Sequence, residues 1–145
     1  MAVTLSFANG VVLITGGSRG IGAACVRLFA EAGARVAFSY RQARSQAEAL
    51  VRECGPHNCF AIASELNNTA AAQALVAAAV EHYGRLDALV VNHGIAPDEL
   101  PVDQMTDARW RHILAVNLDR PSRHRRTAIT VSRRVRTTPG ARKGH

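Results

Sequence analysis

Long apolar runs and a secretory leader are both missing from this 145-residue sequence. No stretch approaches the roughly 18 uninterrupted apolar residues that a membrane-spanning helix needs. The opening MAVTLSFANGVVLITGG has no basic residue before its apolar run and no small-residue cleavage site. We therefore expect a cytoplasmic protein that has no membrane partner.

Cysteine and histidine are too few and too scattered to suggest a metal site. Cys25, Cys54 and Cys59 form no Cys-x-x-Cys unit, and the six histidines show no His-x-x-x-His spacing. An odd number of unpaired cysteines is typical of reduced thiols in a cytoplasmic protein. We expect free thiols and no bound metal.

Acidic residues are absent from the last 26 positions, and this absence divides the chain. Residues 1–119 hold 9 Arg and 11 acidic residues, a net charge of −2, whereas residues 120–145 hold 8 Arg and one Lys, a net charge of +9. The few apolar residues of the second part show no strand or helix period. We expect residues 1–119 to fold as one domain and residues 120–145 to form a disordered, Arg-rich tail.

The first 119 residues alternate short apolar runs with longer amphipathic segments. Strands are predicted at 11–15, 35–40, 59–63 and 86–91, and helices at 20–32, 45–53, 69–83 and 105–118. In the first of these helices the apolar residues at helical spacing are Ile21, Ala24, Cys25, Leu28 and Phe29. Strands that are apolar on both faces and alternate with helices indicate an α/β fold, a parallel sheet with helices on both faces. Ligands bind such sheets at the carboxyl edge, where the chain reverses direction at the fourth strand.

A glycine-rich segment, Thr15-Gly-Gly-Ser-Arg-Gly-Ile-Gly22, joins the first predicted strand to the first predicted helix. Glycines allow the sharp turn and let a diphosphate approach the N–H groups at the helix start. A plain strand–helix turn is the alternative reading. The position between a buried strand and an amphipathic helix favours a nucleotide-binding loop.

The spacing Thr-Gly-x-x-x-Gly-x-Gly resembles the cofactor fingerprint of the short-chain dehydrogenase/reductase family. Residues 11–118 look most like the N-terminal half of its 3-oxoacyl-[acyl-carrier-protein] reductase members. The resemblance implies a truncated Rossmann-type, doubly wound parallel sheet that binds a dinucleotide. It assigns cofactor contacts to Gly16, Ser18, Arg19, Gly20, Ile21, Gly22, Glu65, Leu66, Asn92, His93 and Gly94, and a catalytic role to Asn117 alone. Two residues depart from the family's Asn-Asn-Ala-Gly, because Val91 replaces the first Asn and His93 replaces Ala; for His93 a tolerated loop substitution is favoured over a catalytic histidine.

The end of the second predicted strand bears on the choice of cofactor. A carboxylate there would accept hydrogen bonds from the ribose of NAD and repel a 2′-phosphate. This chain instead has Ser39-Tyr40-Arg41, with no acidic residue before Glu48. Tyr40 and Arg41 are therefore added to the predicted cofactor contacts, and together with Arg19 they favour NADP(H) over NAD(H). The alternative is that Arg41 is only a solvated loop residue.

The chain lacks the residues that perform the chemistry of the family it resembles. That chemistry uses a Tyr-x-x-x-Lys pair preceded by a serine, but the only tyrosines are Tyr40 and Tyr83 and the only lysine is Lys143. We expect oxidoreduction of a carbonyl or alcohol only if a missing half completes the chain. Family-type oligomerisation is expected to be impaired.

Two other functional readings stay open. The pattern of the domain breaks abruptly at Asp119-Arg120, and a sudden run of Arg, Pro, Thr and Ser is typical of out-of-frame reading of GC-rich DNA. One alternative is therefore a frameshifted product without function. The other is a non-enzymatic module that binds nucleic acid or another anionic partner through its basic tail.

Overall fold

The computed structural model describes residues 6–95 and 101–119, and in addition residues 122, 125, 126 and 129. The predicted disordered tail at 120–145 lies outside the described residues apart from those four. Within the described part, four parallel strands and their connecting helices form an α/β domain. None of the helices described is long and apolar enough to cross a membrane.

The elements follow the predicted order closely. They are β1 (Val11–Thr15), α1 (Gly20–Glu31), β2 (Arg35–Tyr40), α2 (Arg44–Cys54), β3 (Cys59–Ala63), α3 (Thr69–Tyr83), β4 (Ala88–Val91) and α4 (Asp107–Leu114). β4 is two residues shorter than predicted at its start. The predicted last helix begins later, after its N-cap Thr106, whose side chain accepts a hydrogen bond from the N–H of Arg109. It changes into a π-helical segment at Ala115–Asp119.

The strands lie in the order β3-β2-β1-β4, and every pairing is parallel. The chain therefore moves outward from β1 to β3 and then returns to the other side of β1 with β4. This reversal places the carboxyl ends of β1 and β4 side by side, with Thr15 opposite Val91. The predicted switch point is confirmed, and the segments after these two strands meet there.

Two apolar cores cover the two faces of the sheet, which confirms the doubly wound arrangement. Val12 and Ile14 of β1 pack towards α1 and α2, whereas Val11 and Leu13 pack towards α3. All four side chains are fully buried. Because side chains alternate along a strand, a five-residue apolar run supplies both cores at once.

The buried face of α1 differs from the apolar pattern that predicted the helix. Gly22, Ala23 and Val26 are buried, whereas Ile21 is 77% exposed and Leu28 is 65% exposed. Gly22 lets the first turn of the helix lie close to the loop between β1 and α1, and Val26 is buried one turn later. Spacing alone predicted the helix but not which apolar residues it buries.

Asp87 anchors the start of β4 to β1. Its carboxylate accepts a hydrogen bond from the N–H of Val11 at 2.9 Å, and its own N–H donates to the carbonyl of Val11 at 2.9 Å. Arg85 forms a two-pronged ion pair with the same carboxylate. These contacts hold the fourth strand in register next to the first.

Candidate functional site

The loop between β1 and α1 combines backbone turns that favour glycine with an uncapped helix start. Gly16 and Gly20 have positive φ values of 69° and 54°, in the left-handed region that glycine adopts without strain. Arg19, the residue before α1, makes no side-chain capping hydrogen bond, and the first turn carries no acidic residue. The first N–H groups of a helix need an acceptor, and an anion is a suitable one.

Gly22 lets α1 approach this loop more closely than any other residue would allow. A Cβ atom at this position would lie 2.1 Å from the carbonyl oxygen of Gly16 and 2.6 Å from Nδ2 of Asn92. A Cβ at Gly17 would likewise lie 2.5 Å from Cβ of Phe38. The two glycines therefore serve close packing, whereas nothing lies within 4 Å of the corresponding position at Gly20.

The hydroxyl of Thr15 joins the carboxyl ends of β1 and β4. Its Oγ1 accepts hydrogen bonds from the N–H groups of Asn92 and His93, at 3.0 and 3.2 Å. The side-chain amide of Asn92 donates in turn to the carbonyls of Thr15 and Gly16, at 3.1 and 3.0 Å. The glycine-rich loop and the loop after β4 thus form one hydrogen-bonded unit.

His93 points its imidazole back to this unit. Nδ1 lies 2.8 Å from Oγ1 of Thr15. Because the hydroxyl oxygen already accepts two N–H groups, we assign its proton to Nδ1 of His93, which leaves the ring proton on Nε2. The bulky residue that replaces alanine in the resembled motif is therefore accommodated by a specific hydrogen bond.

The end of β2 is bonded to the same loop. Ser39 accepts hydrogen bonds at its hydroxyl from the N–H of Gly16, at 3.1 Å, and at its carbonyl from the N–H of Gly17, at 2.9 Å. Arg41 follows two residues after Ser39, and Arg19 follows two residues after Gly17. Both arginines are exposed, and neither pairs with a carboxylate in the part of the chain that the structure describes. Two unpaired guanidinium groups therefore flank one junction.

Two other exposed arginines on the helices beside this junction have carboxylate partners. Arg27 forms an ion pair with Glu53, and Arg44 forms one with Glu48. Glu48 is the first acidic residue after β2, and its partner Arg44 lowers the pKa of its carboxyl group. This carboxylate is already engaged on α2, so the nearest acid along the chain does not compensate Arg41.

The segment after β3 makes fewer hydrogen bonds to the candidate site than the segments after β1, β2 and β4. The N–H of Ser64 donates to the carbonyl of Tyr40 at 2.9 Å, which holds the segment after β3 beside the end of β2. Glu65 is exposed, and Leu66 packs partly against the core on the α3 side. Both residues lie at the carboxyl edge, where they were predicted.

Asn117 fixes the loop after β4 to the π-helical segment. Its side chain accepts a hydrogen bond from the N–H of Ile95 and donates to the carbonyl of Ile95, each at 2.9 Å. A Cβ at Gly94 would lie 3.0 Å from the Asn117 side-chain oxygen. The amide of Asn117 is thus occupied by the backbone, and its predicted catalytic role stays a prediction.

The two tyrosines of the chain lie in different parts of the domain. Tyr83 is only 8% exposed, and burial raises the pKa of its hydroxyl to about 12. Its ring lies beneath Arg35 on the α3 side of the sheet. Tyr40 is the last residue of β2 and is half-buried. No group of three His, Cys, Asp or Glu side chains within the described ranges is placed to hold a metal ion.

Two residues of the site were missed as contributors in the sequence. Thr15 is 1% exposed and Ser39 is 1% exposed, so both are buried polar side chains at strand ends. Buried hydroxyls need hydrogen-bond partners, and here those partners are the loops of the site. A polar residue at the carboxyl end of an otherwise apolar strand is the signal that would have identified them.

The comparison with protein families gives one description for most of the chain. A family model described as short chain dehydrogenase matches residues 10–130. The 3-oxoacyl-[acyl-carrier-protein] reductase FabG of Staphylococcus aureus is 35% identical over 108 residues, which is 73% of this chain and 44% of that protein. A cis-4-hydroxycyclohexanecarboxylate dehydrogenase of Sinomonas cyclohexanicum is 32% identical over 114 residues, 78% of this chain and 45% of that protein.

Solved structures agree with the fold. A dehydrogenase/reductase from Sinorhizobium meliloti superposes with a TM-score of 0.81 at 34% identity, and the match covers 88% of this chain and 51% of that one. A 3-ketoacyl-(acyl-carrier-protein) reductase from Brucella melitensis, complexed with NADH, gives 0.79 at 30% identity and covers 86% and 50%. This chain spans about half the length of these relatives.

Proposed function

Since this chain belongs to the short-chain dehydrogenase family and has its NAD(P)-binding fold, we propose that it binds NADP(H) in preference to NAD(H) and does not reduce a carbonyl group by itself. The observation that carries the cofactor preference is the pair of exposed, unpaired guanidinium groups of Arg19 and Arg41. Arg41 follows Ser39 by two residues and Arg19 follows Gly17 by two residues, and the N–H of Gly17 donates to the carbonyl of Ser39.

The residues at the carboxyl edge fit a dinucleotide. The uncapped start of α1 offers N–H groups for a diphosphate, and the open space at Gly20 leaves room for it. Ile21, which is 77% exposed at the same helix start, offers an apolar surface to a ring of the ligand. Asn92 and Thr15 keep these groups in place through the hydrogen bonds between the loops. A nicotinamide cofactor held there would supply hydride transfer.

The positive charge after β2 favours NADP(H), which carries a 2′-phosphate, over NAD(H). The segment after β2 carries Arg41 but no carboxylate that would accept the ribose hydroxyls of NAD. A 2′-phosphate is a dianion, and planar guanidinium groups bind phosphate with paired hydrogen bonds. The Brucella melitensis relative is complexed with NADH, so a preference for NAD(H) is the competing outcome.

The proposed lack of carbonyl reduction follows because the sequence lacks the family's proton donor. Reduction of a carbonyl needs a group that delivers a proton to the new alkoxide at near-neutral pH. The family's Tyr-x-x-x-Lys pair does not occur in this sequence, and Lys143 is its only lysine. Tyr83 is buried with a raised pKa and cannot meet a substrate.

Calorimetric titration of the full chain with NADPH and NADH tests the preference. We expect NADPH to bind at least tenfold more tightly, and Arg41→Asp to reverse the order. Arg52→Asp is the matched control, since it makes the same charge change on the exposed side of α2 and should leave the ratio unchanged. Equal affinities in the native chain would refute the assignment of Arg41.

An activity assay tests the proposal that the chain does not reduce a carbonyl group by itself. We expect no NADPH oxidation above background with an acetoacetyl thioester, because the acid is missing. Robust turnover by the pure chain would show that another group donates the proton.

Binding of nucleic acid or another anionic partner through residues 120–145 is the second candidate function. Nine cations without an acidic residue support it. We expect such binding to weaken steeply with salt and to persist in Arg41→Asp, which separates it from dinucleotide binding.

A further inference from the structure

Two of the three cysteines lie together at the turn that joins α2 to β3. Cys54 is the last residue of α2, and Cys59 is the first residue of β3. The turn between them is tight, because the carbonyl of Gly55 accepts hydrogen bonds from the N–H groups of Asn58 and Cys59, at 3.0 and 2.9 Å. The thiols of Cys54 and Cys59 are hydrogen-bonded to each other. The fold therefore holds two free thiols in contact.

The two thiols differ in their access to solvent. Both side chains pack in the core between the sheet, α1 and α2, but Cys59 is only 2% exposed, whereas Cys54 is half-buried. A dissolved oxidant can therefore reach the sulfur of Cys54, and Cys59 is left to react with the sulfur beside it. The third cysteine, Cys25 on α1, is half-buried as well and serves as an internal control.

The surroundings of the pair also rank the two thiols as nucleophiles. Burial, and then the neighbouring Cys54, raise the pKa of Cys59 to about 12. Burial raises the pKa of Cys54 as well, but its hydrogen bond with Cys59 acts in the opposite direction. Because the thiolate is the reactive form of cysteine, Cys54 is the sulfur that reacts first. Since the pKa of Cys54 is still raised, its reaction is slow at neutral pH.

We propose that Cys54 and Cys59 form a site of reversible oxidation, at which a hydroperoxide converts the two thiols into a disulfide. In the first step the Cys54 thiolate attacks one peroxide oxygen. An S–O bond forms, the O–O bond breaks, and the hydroxide that leaves takes up the thiol proton as water. In the second step the sulfur of Cys59 attacks that of Cys54. The S–S bond forms, the S–O bond breaks, and the remaining oxygen leaves as water with the Cys59 proton. The two sulfurs lose one electron pair, which the peroxide gains.

The turn leaves room for the movement that bond formation needs. The two sulfurs must move from hydrogen-bonding distance to the roughly 2.05 Å of a disulfide. No atom lies within 4 Å of the Cβ position at Gly55, and residues 56–58 are exposed. The turn can therefore adjust without disturbing the packing of the core.

The pair lies at the opposite edge of the sheet from the candidate cofactor site. Cys59 begins β3, whereas the glycine-rich loop and the loop after β4 follow the carboxyl ends of parallel strands. The oxidation site is therefore independent of the proposed cofactor preference.

Treatment of the reduced full chain with hydrogen peroxide, followed by trypsin digestion and mass spectrometry, tests the proposal. Residues 53–85 form one tryptic peptide that contains both Cys54 and Cys59, whereas Cys25 lies in residues 20–27. We expect the first peptide to lose the mass of two hydrogen atoms. Labelling of Cys54 and Cys59 by iodoacetamide should fall at least tenfold, while labelling of Cys25 changes less than twofold. A phosphine reductant should restore the original mass and labelling.

Substitutions separate the roles of the two sulfurs. Cys59→Ser cannot form the disulfide, so Cys54 should stop as a sulfenic acid that dimedone traps. In Cys54→Ser the remaining Cys59 should oxidise at least tenfold more slowly than Cys54 does, because it is buried. Cys25→Ser is the matched control, and it should form the disulfide as the native chain does.

Three results would overturn the proposal: a pair that stays reduced under peroxide, an equal loss of labelling at Cys25, or a disulfide that forms only when amide exchange in β1 shows that the chain has unfolded. The native chain itself carries this test, so a variant that misfolds does not remove it. NADPH binding is measured separately. A chain that forms the disulfide but binds no NADPH would support the oxidation site and refute the proposed function, so the two failures are distinguishable.

Discussion

Replacing Gly22 with alanine tests whether close packing of α1 on the glycine-rich loop is what shapes the nucleotide site. The new Cβ would lie 2.1 Å from the carbonyl oxygen of Gly16, where real Cβ contacts essentially never fall below 3.0 Å. The loop and helix must therefore separate by about 1 Å, in line with the cost of overpacking a tight contact. The hydrogen bond from Asn92 to the Gly16 carbonyl, now 3.0 Å long, is then lost.

The expected change in the unfolding free energy of Gly22→Ala is the sum of three contributions. Overpacking costs about 1–3 kcal/mol, and the lost hydrogen bond costs about 1 kcal/mol. Alanine recovers about 1 kcal/mol because it restricts the unfolded chain and favours the helix. The net loss of unfolding free energy is about 1–3 kcal/mol, which lowers the melting temperature by roughly 3–9 °C for a chain of this size.

Thermal melts and NADPH titrations on the same samples separate the local effect from the global one. Gly84→Ala is the control, since Gly84 has a positive φ of 77° at the end of α3 and no atom within 4 Å of its Cβ position. It should lose about 1–2 kcal/mol to backbone strain and keep its NADPH affinity within twofold. Gly22→Ala should lose at least tenfold in affinity. Native-like NADPH binding by Gly22→Ala would refute the assigned role of this packing.

Three further perturbations have defined outcomes. Asp87→Ala leaves the N–H of Val11 without its acceptor and should lower the unfolding free energy by about 1–3 kcal/mol in urea titrations; an unchanged midpoint would contradict the anchoring role. Burial raises the pKa of Cys59 from 9.0 and that of Tyr83 from 10.0, each to about 12. The unfolded chain therefore loses these protons first, and stability should fall as the pH rises from about 9 to 12, a slope that Cys59→Ala and Tyr83→Phe should reduce. Asn117→Ala should speed amide exchange in the loop after β4 while exchange in β1 stays slow; uniform acceleration would indicate global destabilisation instead.

The sequence determined the element order because each signal is local. The run VVLIT is apolar at every position, so it predicts a strand buried on both faces, and the structure confirms the strand to the residue. The glycine-rich segment between this run and an amphipathic pattern predicts the strand–loop–helix unit. Reversal of the chain at the fourth strand follows from the right-handed crossovers of parallel sheets.

The tertiary structure decided which residues cooperate, because those contacts join segments far apart in the chain. The hydroxyl of Thr15 holds the loop 77 residues later, and Ser39 holds Gly16. Asn117, in the π-helical segment after α4, bonds to a loop 22 residues earlier. Periodicity predicted that α1 is a helix, but only the three-dimensional packing shows that Gly22, Ala23 and Val26 are buried while Ile21 and Leu28 stay exposed. A local sequence pattern encodes the secondary structure of its own segment. The hydrogen-bond partners of a buried hydroxyl or amide, and the atoms that pack against a glycine, depend on segments that only the folded chain brings within contact distance.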